Sequence, residues 1–401
     1  MFKEIVNLIF LYIPGRVIIS PLAYLFPRKG GPLIFMGRFL PNEKGKFRDN
    51  VKYLFLYMYR KGERNIYFFS GDKTTIEALK EKGIPVKKHP SFRSVILLLR
   101  ARILIVDSSE WIRGIQHFLL EGAKKAQLWH GVGYKLVELC KWKSKNPILN
   151  IIRTMFKVIK GSAPVYDFIA STSDFYTENL FSKCFKWKKI VETGQPRNDV
   201  FFRTPDEFDM IGTDSEAFEK IKKWKSLGYS VILYAPTFRK NEKKFPLDLY
   251  QFNEFLGNHR IGLIIKKHPV NNYTTSKELF ENIFFHDPSA DVYPLLPMID
   301  LLITDYSSIY VDFLLLKKPV IFFPYDYEEY IKTEGEFQFD YNEMTPGIKC
   351  YNQQQLEKSL IEILIKKKDS WMVQREKILE LAYKYKDGNA SDRVYKSLEE
   401  F

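Results

Sequence analysis

Short, uninterrupted apolar runs, each closed by a polar or glycine cluster, recur along the chain and define its architecture. The clearest lies between Leu301 and Tyr330: a strand over Leu301–Thr304, a polar turn over Asp305–Ser308, a helix over Ile309–Leu316 and a strand over Val320–Phe323. Strands this short, apolar on both faces and joined by a helix, make a βαβ unit of a parallel sheet covered on both sides. The same rhythm begins near the N-terminus, with strands at Leu33–Met36, Ile66–Ser70 and Ile103–Asp107 and helices at Asn50–Arg60 and Thr74–Lys82. Strands over Ala126–Trp129 and Asp167–Ser171 and a helix over Phe175–Phe185 continue it. After the polar, weakly patterned stretch Phe201–Ser215, a second α/β run follows. It has a helix over Glu216–Leu227, strands over Ser230–Ala235 and Gly262–Ile265, the unit at Leu301, and helices over Leu356–Lys366, Trp371–Tyr385 and from about Asn389. Strand and helix in alternation with short connections predict an α/β layer architecture.

A chain of 401 residues with 45% apolar content can bury two cores. The punctuation places a segment at residues 1–29, one domain at 30–205 and a second at 206–401. A formal charge of +14 favours an anionic partner. No RNA-recognition signature, zinc-ligand spacing or arginine-rich tail is present, which sets nucleic acid aside and leaves a phosphorylated substrate or an anionic membrane. Cys140, Cys184 and Cys350 are far apart and odd in number, so three unpaired thiols and a reducing compartment are expected.

Residues Ile5–Phe26 are apolar enough for a signal anchor, but Pro14, Gly15, Arg16 and Pro21 interrupt them. Two short apolar segments flanked by Lys3, Arg16, Arg28 and Lys29 instead fit an element lying in a membrane interface, packing on the protein's own core being the alternative. A basic, amphipathic stretch from Lys135 to Lys160 fits either a second membrane-facing surface or a solvated helix face.

Candidate chemistry collects where strands end. Asp305, Ser307 and Ser308 follow an apolar strand and open a helix, so hydroxyls and free N–H groups there suit a phosphate, or a serine simply caps the helix. Two more strands of that half end in Thr237 and Arg239 and in Lys267 and His268. In a parallel sheet such ends share one edge, bringing cations and hydroxyls within reach of one diphosphate. In the first half a strand delivers His130 ahead of Gly131 and Gly133. An imidazole with a pKa near 7 can deprotonate an alcohol beside glycines that admit a substrate, or it can be an internally bonded histidine. Arg197, in Gly194-Gln195-Pro196-Arg197-Asn198-Asp199, either offers its guanidinium fork to an anion or pairs with a neighbouring carboxylate. Asp305 either holds a metal or orients a neighbour; no metal or cofactor is called for. Glu328 and Glu329 either reach ribose hydroxyls or sit in a solvated loop.

Taken in order, Trp129-His130-Gly131, the Gly194–Asp199 run, Tyr234-Ala235-Pro236-Thr237-Phe238-Arg239, Lys267-His268-Pro269, Thr304-Asp305-Tyr306-Ser307-Ser308 and Asp326-Tyr327-Glu328-Glu329-Tyr330 resemble the CDP-glycerol glycerophosphotransferase family of teichoic acid and capsular polymer synthesis. The resemblance implies a GT-B fold of two facing Rossmann-like domains with parallel sheets, an N-terminal membrane-associating segment, and a last helix that crosses back to the first domain. It implies transfer of a polyol phosphate from CDP-glycerol or another CDP-polyol to a polyprenyl-diphosphate-linked saccharide at the cytoplasmic face of the bacterial membrane. His130 resembles the family's base and His268 its second histidine. Arg239, Ser307 and Ser308 resemble its diphosphate contacts, and Gly131, Arg197, Thr237, Lys267, Thr304, Asp305 and Glu329 complete the expected donor site. Val132 and Gly133 depart from the Thr and Pro usual in similar enzymes, removing a hydroxyl beside the base. A nucleotide-sugar glycosyltransferase of the same fold, or a non-catalytic membrane-peripheral binding protein, are the alternatives.

Overall fold

The structure, a computed structural model, describes residues 10, 12–39, 44–112, 116–141, 164–237, 239, 245–266, 280–334 and 337–400. Lys267, His268 and most of the basic stretch after Lys135 lie outside the described residues. The chain divides into two compact units: Met1–His130 with Val137–Gly212 and Asp387–Phe401, and Gly131–Leu136 with Thr213–Lys386.

The first unit holds strands β1 (Leu33–Met36), β2 (Ile66–Ser70), β3 (Val86–Lys88), β4 (Ile103–Val106), β5 (Lys124–Gln127), β6 (Val165–Tyr166), β7 (Phe168–Ser171), β8 (Lys186–Trp187) and β9 (Ile190–Glu192). Seven of these form a parallel sheet in the order β3-β2-β1-β4-β5-β7-β9, while β6 and β8 make a separate two-stranded ribbon. Leu33 is in register with both Ile66 and Ile103, so the chain starts mid-sheet and winds outward both ways. The helix Asp49–Arg60 buries Val51, Leu54, Phe55 and Met58, one helical face, against Phe35 and Phe68 of the strands.

In the second unit β10 (Ser230–Tyr234), β11 (Ile261–Ile265), β12 (Ile283–Phe285), β13 (Leu301–Thr304), β14 (Val320–Phe322) and β15 (Ile348–Lys349) form a parallel sheet ordered β12-β11-β10-β13-β14-β15. That order, read from the first strand outward, is that of a dinucleotide-binding fold, and its reversal falls between β10 and β13.

Three observations correct the sequence reading. The strand expected at Ala126–Trp129 ends at Gln127, because Trp129 takes a left-handed φ of 55° that no strand accommodates. A strand at Val86–Lys88 and a helix at Phe92–Arg100, opened by reciprocal Ser91 and Ser94 caps, intervene after Gly83. Cys140 and Cys184, expected to be free, form a disulfide across 44 residues of sequence, and only Cys350 remains a buried thiol. The reducing compartment inferred from unpaired thiols loses its premise.

Candidate active site

In the first unit the carboxyl ends of β1, β4 and β5 carry Arg38, Asp107 and His130. Trp129 is buried with its carbonyl held by Asn50 Nδ2 at 2.6 Å and its N–H by Gln127 Oε1 at 2.9 Å. The chain then turns through Gly131 at φ 128°, a conformation that favours glycine. His130 is half-buried, and its Nδ1 lies 2.9 Å from the Asp107 carbonyl oxygen. A carbonyl only accepts, so Nδ1 carries the proton and Nε2 presents its lone pair. Burial, aided by the Arg38 charge, holds the His130 pKa below 6.5 despite the opposing charge of Asp49, which keeps the ring neutral at pH 7.

Of the two readings of Arg197, an anion or a neighbouring carboxylate, the structure shows the carboxylate pair. Arg197 is 3% exposed, and its Nη1 donates to Asp49 Oδ1 at 2.5 Å and to the His130 carbonyl at 2.9 Å, while its amide donates to Asn50 Oδ1. The pair fixes the backbone on which the imidazole sits, and it lowers the Asp49 pKa even though burial pushes the other way. Asp107 is a site residue the sequence reading did not single out. Its carboxyl is fully buried without a hydrogen bond of good geometry, and burial together with the Asp49 charge raises its pKa well above the ordinary value.

The second unit places Thr237, Arg239, Asp305, Ser307 and Ser308 at the carboxyl ends of β10 and β13, on either side of the strand-order reversal. Asp305 is fully buried and accepts from the Thr237 N–H at 2.8 Å, the Tyr306 N–H at 2.5 Å and Arg239 Nη1 at 2.5 Å. It therefore orients its neighbours. Arg239, expected to neutralise a diphosphate, is likewise committed: Nε and Nη2 grip both oxygens of Asp326 at 2.7 and 2.8 Å, and the guanidinium lies among the rings of Tyr306, Tyr325 and Tyr330. Burial opposes its charge, but the Asp326 hydrogen bonds and the Asp305 charge prevail and raise its pKa. Thr304, buried, donates to the Ala235 carbonyl at 2.7 Å and ties the two strand ends together.

The hydroxyls are a different case. Ser308 stands at the N-cap of Ile309–Phe313 without a side-chain capping bond, and Ser307 Oγ reaches the Ile309 N–H only at 3.5 Å. Thr237 Oγ1 is shielded from solvent and has no hydrogen-bond partner among the described residues. Gly133 runs close to this turn: a Cβ there would lie 3.3 Å from Ser308 Cβ, so admitting one would need a small shift of the turn. Val132 is fully buried, so the departure from Thr changes packing inside the unit. Glu329 is exposed on the first turn of the helix Tyr327–Glu334, with Glu328 beside it, where a loop was one expectation. His286, just past β12, is 1% exposed, and neither ring nitrogen has a hydrogen-bond partner among the described residues. Burial and the Lys266 charge lower its pKa to about 4. Among the described residues no cluster of three His, Cys, Asp or Glu side chains could hold a metal ion.

Fold and site together define an α/β protein with a large parallel sheet in each unit, a neutral histidine on one carboxyl edge and a turn with unspent hydroxyls at the switch point of the other. The family model of CDP-glycerol:poly(glycerophosphate) glycerophosphotransferases matches residues 38–400, and the chain belongs to that family of transferases. It is 31% identical over 317 residues to a teichoic acid poly(glycerol phosphate) polymerase of Bacillus subtilis, covering 75% of this chain and 40% of that one. It is 27% identical over 401 residues to the teichoic acid ribitol-phosphate polymerase TarK of Staphylococcus aureus, covering 96% of this chain and 71% of that protein. The solved wall teichoic acid polymerase TagF shares its fold with a TM-score of 0.71 at 22% identity, over 95% of this chain and 93% of that one.

Proposed function

We propose that the chain transfers a polyol phosphate, glycerol phosphate or ribitol phosphate, from a CDP-activated donor to a hydroxyl of a growing wall teichoic acid or related capsular polymer. The observation that carries this is the His130 tautomer: with Nδ1–H tied to the Asp107 carbonyl, Nε2 is left as the proton acceptor an attacking alcohol needs. In the reaction the acceptor O–H gives its proton to Nε2, the new O–P bond forms at the β-phosphorus, and the bond to the bridging oxygen breaks with its electron pair leaving on CMP. Phosphoryl transfer asks chiefly for positioning and relief of charge. Thr237 Oγ1, Ser307 and Ser308 are the groups at the switch point with donors to spare for the diphosphate. Lys267 and His268 are assigned to the donor phosphates by family resemblance alone, and Glu329 to the ribose. Arg239, Asp305 and Thr304 act by holding the turn, as Arg197 holds His130.

The same reading includes attachment to a membrane surface, as a polyprenyl-linked acceptor requires. The helical segment Gly15–Ile19 and Ser20–Ala23 docks through Gly15 on Phe118, where a Cβ would lie 2.2 Å from the ring, and just beyond it Arg28 donates to the Leu98, Ala101, Leu119 and Glu121 carbonyls, anchoring the segment's exit. Val17, Ile18, Leu22 and Leu25 are left 66, 56, 50 and 76% exposed, an apolar face with an interface to meet. No helix among the described residues is long and apolar enough to cross a bilayer.

Incubation with CDP-glycerol and a lipid-linked disaccharide should release CMP. Replacing His130 with Ala should lower the rate by about 10²- to 10⁴-fold while donor binding by calorimetry is retained. Undiminished CMP release from that variant would reject the base, and Ser307→Ala with unchanged donor affinity would remove the serine turn.

A further inference from the structure

On the amino edge of the first unit's sheet, opposite the edge that carries His130, a cavity of about 500 Å³ opens between the start of β5, the β6–β8 ribbon and the N-terminal helical segment. Arg16, Lys124, Lys125, Lys186 and Lys188 line it against two carboxylates, Glu121 and Asp167. Both acids are already engaged: Glu121 with Arg16 at 2.6 Å, and Asp167 with Lys188 at 2.7 Å and the Lys125 amide at 2.9 Å. The well thus keeps an excess of positive charge. Lys125 is half-buried in it with its ammonium on the Ala123 carbonyl, and burial lowers its pKa although Glu121 and Asp167 pull the other way.

The rim has the opposite character. Arg16 and Tyr24, which line the cavity, belong to the segment that exposes Val17, Leu22 and Leu25. Across the opening Val165 of the ribbon, which also lines the cavity, is 45% exposed. Apolar and aromatic side chains around a cationic hollow match the layering of a membrane interface, with acyl chains outside and phosphate within.

We propose that this cavity is a binding site for the phosphate headgroup of an anionic phospholipid, docked while the flanking apolar residues enter the interface. The site rests on the membrane reading above but is separable from it. It would give the protein a fixed orientation on the bilayer, with the β5 amino edge toward the lipid.

The test is flotation of the full chain with vesicles of phosphatidylcholine alone or with phosphatidylglycerol added. The wild type should bind both, and phosphatidylglycerol should strengthen binding by about tenfold or more. Lys125→Gln with Lys186→Gln should abolish that gain and keep the binding to phosphatidylcholine. Removing two charges elsewhere, at the exposed Lys73 and Lys222, should leave most of it. Leu22→Ser with Leu25→Ser should instead weaken binding to both vesicles. Glycerophosphoglycerol should compete with the wild type, a measurement that needs no variant and so no assumption about folding. A gain that survives Lys125→Gln with Lys186→Gln, or that falls equally with the Lys73 and Lys222 pair, overturns the headgroup site alone. Absence of flotation on any vesicle overturns the membrane reading and the site together. Lysine-dependent binding of inorganic phosphate without a phosphatidylglycerol gain makes it a free-phosphate site and overturns the lipid assignment.

Discussion

The chemistry of His130 is set by what surrounds it. Its Nδ1 proton is spent on a main-chain carbonyl, and burial plus the Arg38 charge disfavour the imidazolium. A base must be unprotonated to work, so the acidic limb of the kcat/KM profile should fall below 6.5, the ordinary histidine value. Replacing Arg38 with Gln removes one of the two forces and should move that limb upward; a limb that stays put or moves down would show that the guanidinium does not act on the ring. The same shift has a stability sign. As pH drops through 6.5 the unfolded chain protonates before the native one, so stability attached to the neutral ring is lost on acidification. Arg239 makes a contrasting case, since it is paired with two acids. It is 9% exposed between Asp305 and Asp326, and Arg239→Ala should cost about 3–5 kcal/mol in chemical denaturation because a buried carboxylate is left uncompensated. A loss below about 1 kcal/mol would mean that the turn is held by other contacts.

Among the elements, the parallel strands were the most legible, because a fully covered strand is an unbroken apolar run: Leu301–Thr304 and Ile66–Ser70 appear with the ends read from sequence. What could not be read was pairing at a distance. Arg239 meets acids 66 and 87 residues away, and Arg197 meets one 148 away, so a strand-end guanidinium looks unspent until the fold supplies its partners. That is why the guanidiniums of Arg197 and Arg239 are found paired with carboxylates, while Ser308 makes no side-chain capping bond and Ser307 Oγ reaches the Ile309 N–H only at 3.5 Å. Asp107 left no signal, being the last residue expected of an apolar strand. The two-residue β15 is too short to show a period. The last helix shows the same remote logic. Asp199, 6% exposed, accepts the Ala390 and Ser391 N–H groups at 2.9 and 2.8 Å, capping Ala390–Glu399 from 191 residues upstream. Asp199→Ala should therefore cost about 1–2 kcal/mol, the worth of a strong N-cap. Hydrogen exchange should localise the loss to that helix; exchange unchanged there would remove the cap from the account.

At the scale of the whole chain, the route of the backbone matters more than its length. The first unit is assembled from three stretches and the second is carried almost entirely by Thr213–Lys386, so one folding body is inserted in another. The closing helix packs Val394 and Leu398 into the core that contains Leu54 and Phe68, and Tyr57 donates to Asp392 at 2.6 Å. A fragment ending at Gly212 lacks those groups and leaves that face open, whereas the inserted unit keeps its whole six-stranded sheet. The one piece the insert lacks is Gly131–Leu136, which lodges Tyr134, 1% exposed, with its hydroxyl on the Asp305 carbonyl. Expressed alone, residues 213–386 should fold cooperatively but with a lowered Tm, while residues 1–212 should not fold until a peptide of residues 387–401 is added. Cooperative unfolding of 1–212 by itself, measured by calorimetry, would show that the returning helix is an ornament on a finished core, and the insertion would then carry no consequence for how the protein is built.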